Sequence, residues 1–401
     1  MRPSSPSPLW LRPLLQALTV ALILTPAGAS AQGRALASNT RLILGAAGDL
    51  TASLTFIDVD GDGDLDVIAA NGRHWAQLNE VHLNNGFGGF TVGYALGPEK
   101  ATTYATPAGD LDGDGDPDVV VANDQAENWV YLNDGQGRFH LAWSVGPEVE
   151  PTRSAQLSDL DGDGDLDLLV TNRGSPNGFY LNDGTGNFGP KRAFGDPEGS
   201  TIAVAVGDLD GDGAPDLVLA NRDGQANQIL FNDGALGFDR VREFGTGSDE
   251  TRSVRLADLD GNGTLDIIAA NIGEPNAVYL GRGDGSFEQG ATLGDSERTY
   301  AATTADVDGD GDLDVLSASG GADTIAWYEN TAGDGSAWTT HTVDDTADGA
   351  RSVHAADVDA DGDVDVLAAS EFDNTVAWYE NVSGDGSTWS AHAVTTAAAG
   401  P

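Results

Sequence analysis

The sequence predicts an all-β fold, a seven-bladed β-propeller with four antiparallel strands per blade. Three observations carry that expectation. A nine-residue run of alternate acids around glycines is written seven times, at Asp58–Asp66, Asp110–Asp118, Asp159–Asp167, Asp208–Asp216, Asp258–Asp266, Asp306–Asp314 and Asp357–Asp365. The runs recur every 48 to 52 residues, a period that marks a repeat architecture rather than a set of unlike domains. Each period reads as four short strands with turns between them, and no helix is readable after the N-terminal segment. A lone four-stranded sheet cannot bury both faces, so the units stack around an axis, and closing the ring hides the end faces.

The elements follow in order. Residues 1–31 read as a secretory signal peptide: Arg2 and Arg12 are basic, Leu14 to Leu24 is apolar, and Ala29-Ser30-Ala31 is a small-residue cleavage site. The apolar stretch is too short to span a bilayer as a mature helix. No cysteine is available for a lipid anchor, so an exported protein without membrane insertion is expected, extracellular or periplasmic. Residues 32–40 form a short segment, 41–395 the propeller and 396–401 a tail. In the second repeat, strand A is residues 102–108 and strand B the continuous apolar run Val119–Ala122. Asn123-Asp124-Gln125 is a turn, strand C is 128–132, Asn133–Gly137 is a glycine-rich hairpin turn and strand D is 139–143. A polar loop at Gly146-Pro147-Glu148 then leads to the third repeat. Arg41–Gly45 and the segment from Trp389 to Val394 both resemble a strand D, and one of them is expected to close the ring.

Composition narrows the function. There is no cysteine, so a large core and bound metal replace disulfides in an exported chain. The net charge is −45, and 32 of the 64 acidic residues are loop aspartates. The excess is thus concentrated in the loops, which favours cation binding over general salt adaptation. A nucleic-acid partner is excluded for want of a basic face.

Asp58, Asp110, Asp159, Asp208, Asp258, Asp306 and Asp357 stand at position 1 of the loops, and Asp60, Asp112, Asp161, Asp210, Asp260, Asp308 and Asp359 at position 3. Position 5 holds Asp62, Asp114, Asp163, Asp212, Asn262, Asp310 and Asp361, and position 9 holds Asp66, Asp118, Asp167, Asp216, Asp266, Asp314 and Asp365. Position 7 varies: Asp64, Asp116, Asp165, Ala214, Thr264, Asp312 and Asp363. Hard oxygen ligands at this density suit calcium, up to seven ions, and the alanine implies a backbone carbonyl at position 7. Glycine at position 6 in every copy permits a left-handed backbone, whereas Ala360 shows that glycine is not essential at position 4. An EF-hand is excluded by context. Each loop runs into an apolar strand, and position 12 is Ala69, Val121, Val170, Leu219, Ala269, Ser317 or Ala368 rather than glutamate.

The DxDGDGDxD loop followed by an apolar strand resembles the FG-GAP/VCBS repeat, and is similar to the calcium-bearing blades of integrin α-subunit propellers. The resemblance covers all seven repeats. It implies a seven-bladed propeller with calcium in the A–B loops and, among relatives, adhesins, lectins and non-catalytic modules, with polysaccharide lyases among other calcium-bearing propellers.

In such a blade the A–B and C–D turns share one rim, which leaves the B–C and D–A rim for a ligand. Arg73, Arg173 and Arg222 fall in B–C turns, and Lys100, Arg153, Arg252, Arg298 and Arg351 in or at the end of D–A loops. Arg153, Arg252 and Arg351 each precede their loop by six residues and would form a partial ring at the channel mouth. The ring either binds an anionic glycan or pairs with the nearby Glu150, Glu250 and Asp348. A longer first B–C insertion presents Arg73, His74, Trp75 and Gln77, with His82 on strand C; the aromatic could stack on a sugar. The six histidines are scattered, and no nucleophile elbow, Ser-His-Asp spacing or zinc motif is readable. A binding or adhesion module for a glycan or cell-surface protein is therefore the leading reading. A polysaccharide lyase using the Arg/His rim and a structural module of a larger assembly are the alternatives. Arg282-Gly283-Asp284 occupies a C–D turn, where turn chemistry accounts for it. The Trp327/Trp378 and Trp338/Trp389 pairs read as blade packing.

Overall fold

The computed structural model describes residues 51–72, 75–84, 92–358, 361–373 and 375–395. The signal-like segment, the strand expected at Arg41–Gly45 and the tail lie outside the described residues. The fifth repeat shows how each unit is built. Strand A is Thr251–Ala257, strand B Asp266–Asn271, strand C Asn276–Gly281 and strand D Phe287–Leu293, paired antiparallel in that order. Strand B is buried at all six positions, because A and C flank it and neighbouring sheets cover both faces. That is why it reads as an unbroken apolar run rather than an alternating one. The first, fourth, sixth and seventh repeats form the same four-stranded meander.

The second and third repeats depart from the sequence expectation. Strands B and C of the second form one run, Asp118–Asn133, through the expected turn, and strand D continues as Phe139–Ser158 into strand A of the third. The reason lies in the pairing. Asp124 and Ala126 lie opposite Pro151 and Glu150, so ladder bonds bridge the expected turn and polar loop, while Gln125 takes a positive φ of 56° to make the bend. Strand A of the second repeat is split into Thr103–Ala105 and Ala108–Gly109 around Pro107, which has no N–H to donate.

The core lies between sheets. Six apolar clusters are present among the described residues, one for each consecutive pair from first–second to sixth–seventh. Each contains the position-2 residue of an acidic loop: Val59, Leu111, Leu160, Leu209, Leu259 and Val307 are at most 2% exposed. The loop therefore sinks an apolar side chain into the seam while its acids face outward. Trp327 and Trp378 are 1% exposed and stack on His341 and His392, at 4.4 and 4.5 Å between centroids. Trp389–Thr395 pairs with Thr375–Asn381 and is strand D of its own seventh sheet. The first and seventh sheets touch at Phe56 and His354, strand-A residues whose rings pack edge-on at 5.9 Å.

Leu259→Ala is expected to lower the unfolding free energy by about 2–5 kcal/mol in urea titrations. Leu65→Ala, at a residue 58% exposed, should change it by less than about 0.5 kcal/mol.

Candidate functional site

The acidic loop is organised by its own backbone. At position 1, Asp110 accepts the Gly113 and Gly115 N–H groups through its two oxygens, at 2.8 and 3.0 Å. Asp112 at position 3 accepts the amide of position 5, and Asp114 at position 5 accepts that of position 7. Glycine at position 6 has φ between 83° and 103° in all seven loops, a region that a side chain rarely enters.

Position 9 differs from the others. Asp314 is 1% exposed; one oxygen accepts the Val307 N–H at 3.0 Å and the other the Asn330 N–H in the C–D turn at 2.8 Å. The same pair of bonds recurs at Asp66, Asp118, Asp167, Asp216, Asp266 and Asp365. The A–B loop and C–D turn are thereby tied at one end of each sheet. Burial pushes the carboxyls of Asp118, Asp167, Asp216 and Asp266 up to about 6, and that of Asp314 up to about 7, against the lowering pull of the two donors.

The structure brings carboxylate oxygens of positions 1, 3 and 9 within 4.8 Å of one another in the second to fifth loops, and those of Asp58, Asp60 and Asp62 in the first. Burial first, then the position-5 charge, raises Asp60, Asp112 and Asp161 above the usual carboxylate range. Two loop oxygens, Asp210 Oδ1 of the fourth cluster and Asp306 Oδ1 at position 1 of the sixth loop, are buried without a hydrogen-bond donor. The position-7 acids lean elsewhere: a Cβ built on the C–D turn glycines Gly135, Gly184, Gly333 or Gly384 would collide with Asp116, Asp165, Asp312 or Asp363. Asp359 and Ala360 lie outside the described residues. In the fourth loop, where Ala214 stands at position 7, Arg240 pairs with Asp210.

At the opposite end, Arg173 grips Asp223 of the next B–C turn through two bonds of 2.7 and 3.0 Å, and Arg222 meets Glu250 at 3.1 Å. Trp75 is 74% exposed, and Lys100 and Arg298 are exposed; Arg73 and His74 lie outside the described residues. Two of the three ring arginines pair with acids other than the ones expected, and Glu250 is taken by Arg222. Arg153 binds Asp124 at 2.8 Å, because the strand pairing described above lays residue 124 beside residue 151, and Arg351 binds Glu371. Glu150 instead takes Lys191 at 2.5 Å. Buried His82 meets Glu80 at 3.1 Å. In the Arg282-Gly283-Asp284 turn, Arg282 pairs with Glu288, and Asp284 accepts the Ser286 N–H at 2.9 Å.

Arg153, Arg252 and Arg351 line one cavity of about 380 Å³ that strand A of all seven sheets bounds. Each A–B ladder carries a bulge at the residue six before the loop, and those residues are Ala52, Tyr104, Arg153, Ile202, Arg252, Tyr300 and Arg351. All seven line the cavity. A bulge re-aims a side chain off the pleat, which here turns one residue per sheet into the bore. The repeated arginines were readable as a ring; the bulge that aims them was not.

A family model described as the FG-GAP-like repeat matches residues 58–121, 110–158, 159–219, 208–269, 258–317 and 306–368. The chain belongs to the FG-GAP-like repeat family. No curated protein matches it. Among solved structures, these FG-GAP-like repeats are similar to BBS1N in complex with ARL6DN, soaked with mercury, at 13% identity and a TM-score of 0.56, covering 80% of this chain and 89% of that one. They are also similar to the computationally designed Ika8 protein, at 11% identity and a TM-score of 0.54, covering 89% and 90%. These likenesses confirm the β-propeller fold. Among the described residues, no helix of the FG-GAP-like repeat chain is long and apolar enough to cross a membrane.

Asp314→Asn replaces an accepting oxygen with an NH2 facing a backbone N–H. Without added calcium it should cost about 1–3 kcal/mol in denaturant unfolding. Asp310→Asn, at the exposed position 5 of the same loop, should cost under about 0.5 kcal/mol.

Proposed function

We propose that the chain is an exported, calcium-stabilised binding module that takes its ligand at the end opposite the acidic loops. The observation that carries the calcium reading is the convergence of three carboxylate oxygens within 4.8 Å at successive loops, with Asp210 Oδ1 and Asp306 Oδ1 lacking any donor. Charges held so close repel unless a cation sits among them, and an oxygen-only set suits calcium. Positions 1, 3, 5 and 9 would hold it through side chains and position 7 through its carbonyl. When bound, calcium supplies the counter-charge that the buried acids lack. The affinity expected of an extracellular module is on the order of 10⁻⁴ M. The fourth site is the weakest on this reading, since Arg240 competes for Asp210. Export rests on the signal-like N-terminus.

The ligand reading rests on the opposite end, where exposed Trp75, Lys100, Arg173 and Arg298 stand out from a chain of net charge −45. Aromatic and cationic groups together suit an anionic glycan. The second class is a protein, as BBS1N holds ARL6DN in its crystal.

Two measurements test these readings. Melting in calcium and in excess chelator should differ by on the order of 1 kcal/mol per filled site at calcium ten times Kd; identical curves would remove calcium from the proposal. Electrophoresis through gels cast with neutral or anionic polysaccharide should retard the protein only in the anionic gels. Free migration in both would turn the ligand search to proteins.

A further inference from the structure

The central cavity combines a cationic lining with unmet donors. Arg153, Arg252, Arg255 and Arg351 line it, whereas Glu80 is the one carboxylate in the lining and is occupied by His82. Two of the arginines keep donors that no acceptor meets among the described residues. Arg255, on strand A of the fifth sheet, bonds the Ala302 carbonyl through Nε at 3.2 Å and makes no ion pair among the described residues. The protein packed around it holds its guanidinium below the usual arginine range, although the side chain still opens onto the cavity. Arg351 is braced by Glu371 and by the Tyr300 ring, 3.7 Å from its guanidinium carbon, yet its Nη1 is buried without an acceptor. His354 also lines the cavity; burial and then the Arg255 charge hold its imidazole below its usual value, so it is neutral at pH 7 and able to hydrogen-bond.

Arg255 opens onto the confined bore with no anion opposite it, and the buried Arg351 Nη1 has no acceptor; donors placed in this way are matched by bound groups. The walls are otherwise small or apolar: Ser253, Ala301, Ser352 and Val353 give the bore width, and Ile202 and Leu54 contribute no charge. A space of about 380 Å³ admits a molecule of metabolite size and not a polymer.

We propose that the bore is a binding site for a small multivalent oxyanion, bearing carboxylate or phosphate groups, clamped between Arg255 and Arg351 with His354 alongside. The site shares Arg351 with the mouth ring but does not rest on the glycan reading. It lies within the channel and uses Arg255, three residues closer to the acidic loop than the ring. The negative exterior discourages non-specific anion binding, so selectivity comes from the bore.

The test is calorimetric titration of the calcium-loaded full chain with succinate and with glycerol 3-phosphate, anions of the two candidate chemistries. One of them should bind saturably, and the tighter probe names the chemistry. Arg255→Gln should weaken that binding on the order of tenfold, the loss expected for a charge-assisted pair. Arg255→Lys should retain part of it, and Arg282→Gln, in a C–D turn away from the bore, should leave it unchanged. Absence of saturable binding by either probe, or Arg255→Gln binding as tightly as the parent, overturns the proposal. Polysaccharide gels report on the outer end and not on the bore, so either reading can fail while the other stands.

Discussion

Each sheet hangs on a buried aspartate at position 9 of its acidic loop. A carboxylate taken out of water is expensive unless donors replace the lost hydration. Here two backbone N–H groups do so, one from position 2 and one from the C–D turn. The first closes the loop and the second fixes where strand D begins. Once the loop is closed, its position-2 side chain has one place to go, the seam with the neighbouring sheet. The carbonyl of that residue then accepts an asparagine from the next sheet: Asn133 bonds Val59, Asn182 Leu111, Asn330 Leu259 and Asn381 Val307, at 2.8 to 2.9 Å. One charge thus sets a hairpin, a seam and a contact between sheets. The raised carboxyls are the residual cost of the arrangement and the place where a cation would act on stability.

Strand A links the two candidate sites. It starts at the bulge that turns a side chain into the bore and ends at the acidic loop. Just before the bulge, a threonine joins the opposite seam: Asn227 donates to Thr251 at 2.7 Å, and Thr251 donates to Asn271 at 2.7 Å. The same chain runs through Asn79, Thr103 and Asn123. Polar latches therefore pin strand A at both ends, and the bore residues are held on a rigid element. In the sixth sheet, Thr299 faces Ser319, and in the seventh Ala350 stands where the threonine would be. Those two sheets carry the buried Trp327 and Trp378, so apolar volume replaces part of the polar network.

The repeats were legible because chemistry and spacing coincide. Alternate acids, a left-handed glycine and an apolar run state a loop entering a buried strand without reference to anything distant. The position-2 residue was equally plain as Val or Leu, but its burial depends on the neighbouring sheet. What the sequence hid was backbone register. A bulge has no residue signature here, since Ala52, Tyr104, Arg153 and Ile202 all occupy it. The same limit explains the arginine partners. Glu150 and Asp348 are near in sequence, while Asp124 and Glu371 lie across the strand ladder from Arg153 and Arg351. Arg255 gave no signal at all, because nothing in a lone arginine on strand A tells that no carboxylate will face it.

The fifth sheet shows which part of the latch is indispensable. It lacks the corner asparagine and has Gly281 there, and its loop carries Asn262 and Thr264 in place of two acids. The carboxylate bond survives, as Gly281 N–H still meets Asp266 at 2.7 Å. The link across the seam survives by another route: the Gly285 N–H reaches the Leu209 carbonyl at 3.1 Å, the job an asparagine side chain does elsewhere. Asn262 turns its amide NH2 onto the Gly281 carbonyl at 3.2 Å, and the Thr264 hydroxyl lies 2.5 Å from Asn262 Oδ1 and 3.1 Å from the same carbonyl. Acids were exchanged for neutral donors where the corner lost its side chain, so local charge fell while the Gly281 N–H, the Gly281 carbonyl and the Leu209 carbonyl kept partners. The constraint that persists through this substitution is satisfaction of the position-2 carbonyl and the position-9 carboxylate, and the number of acids around them is the adjustable part.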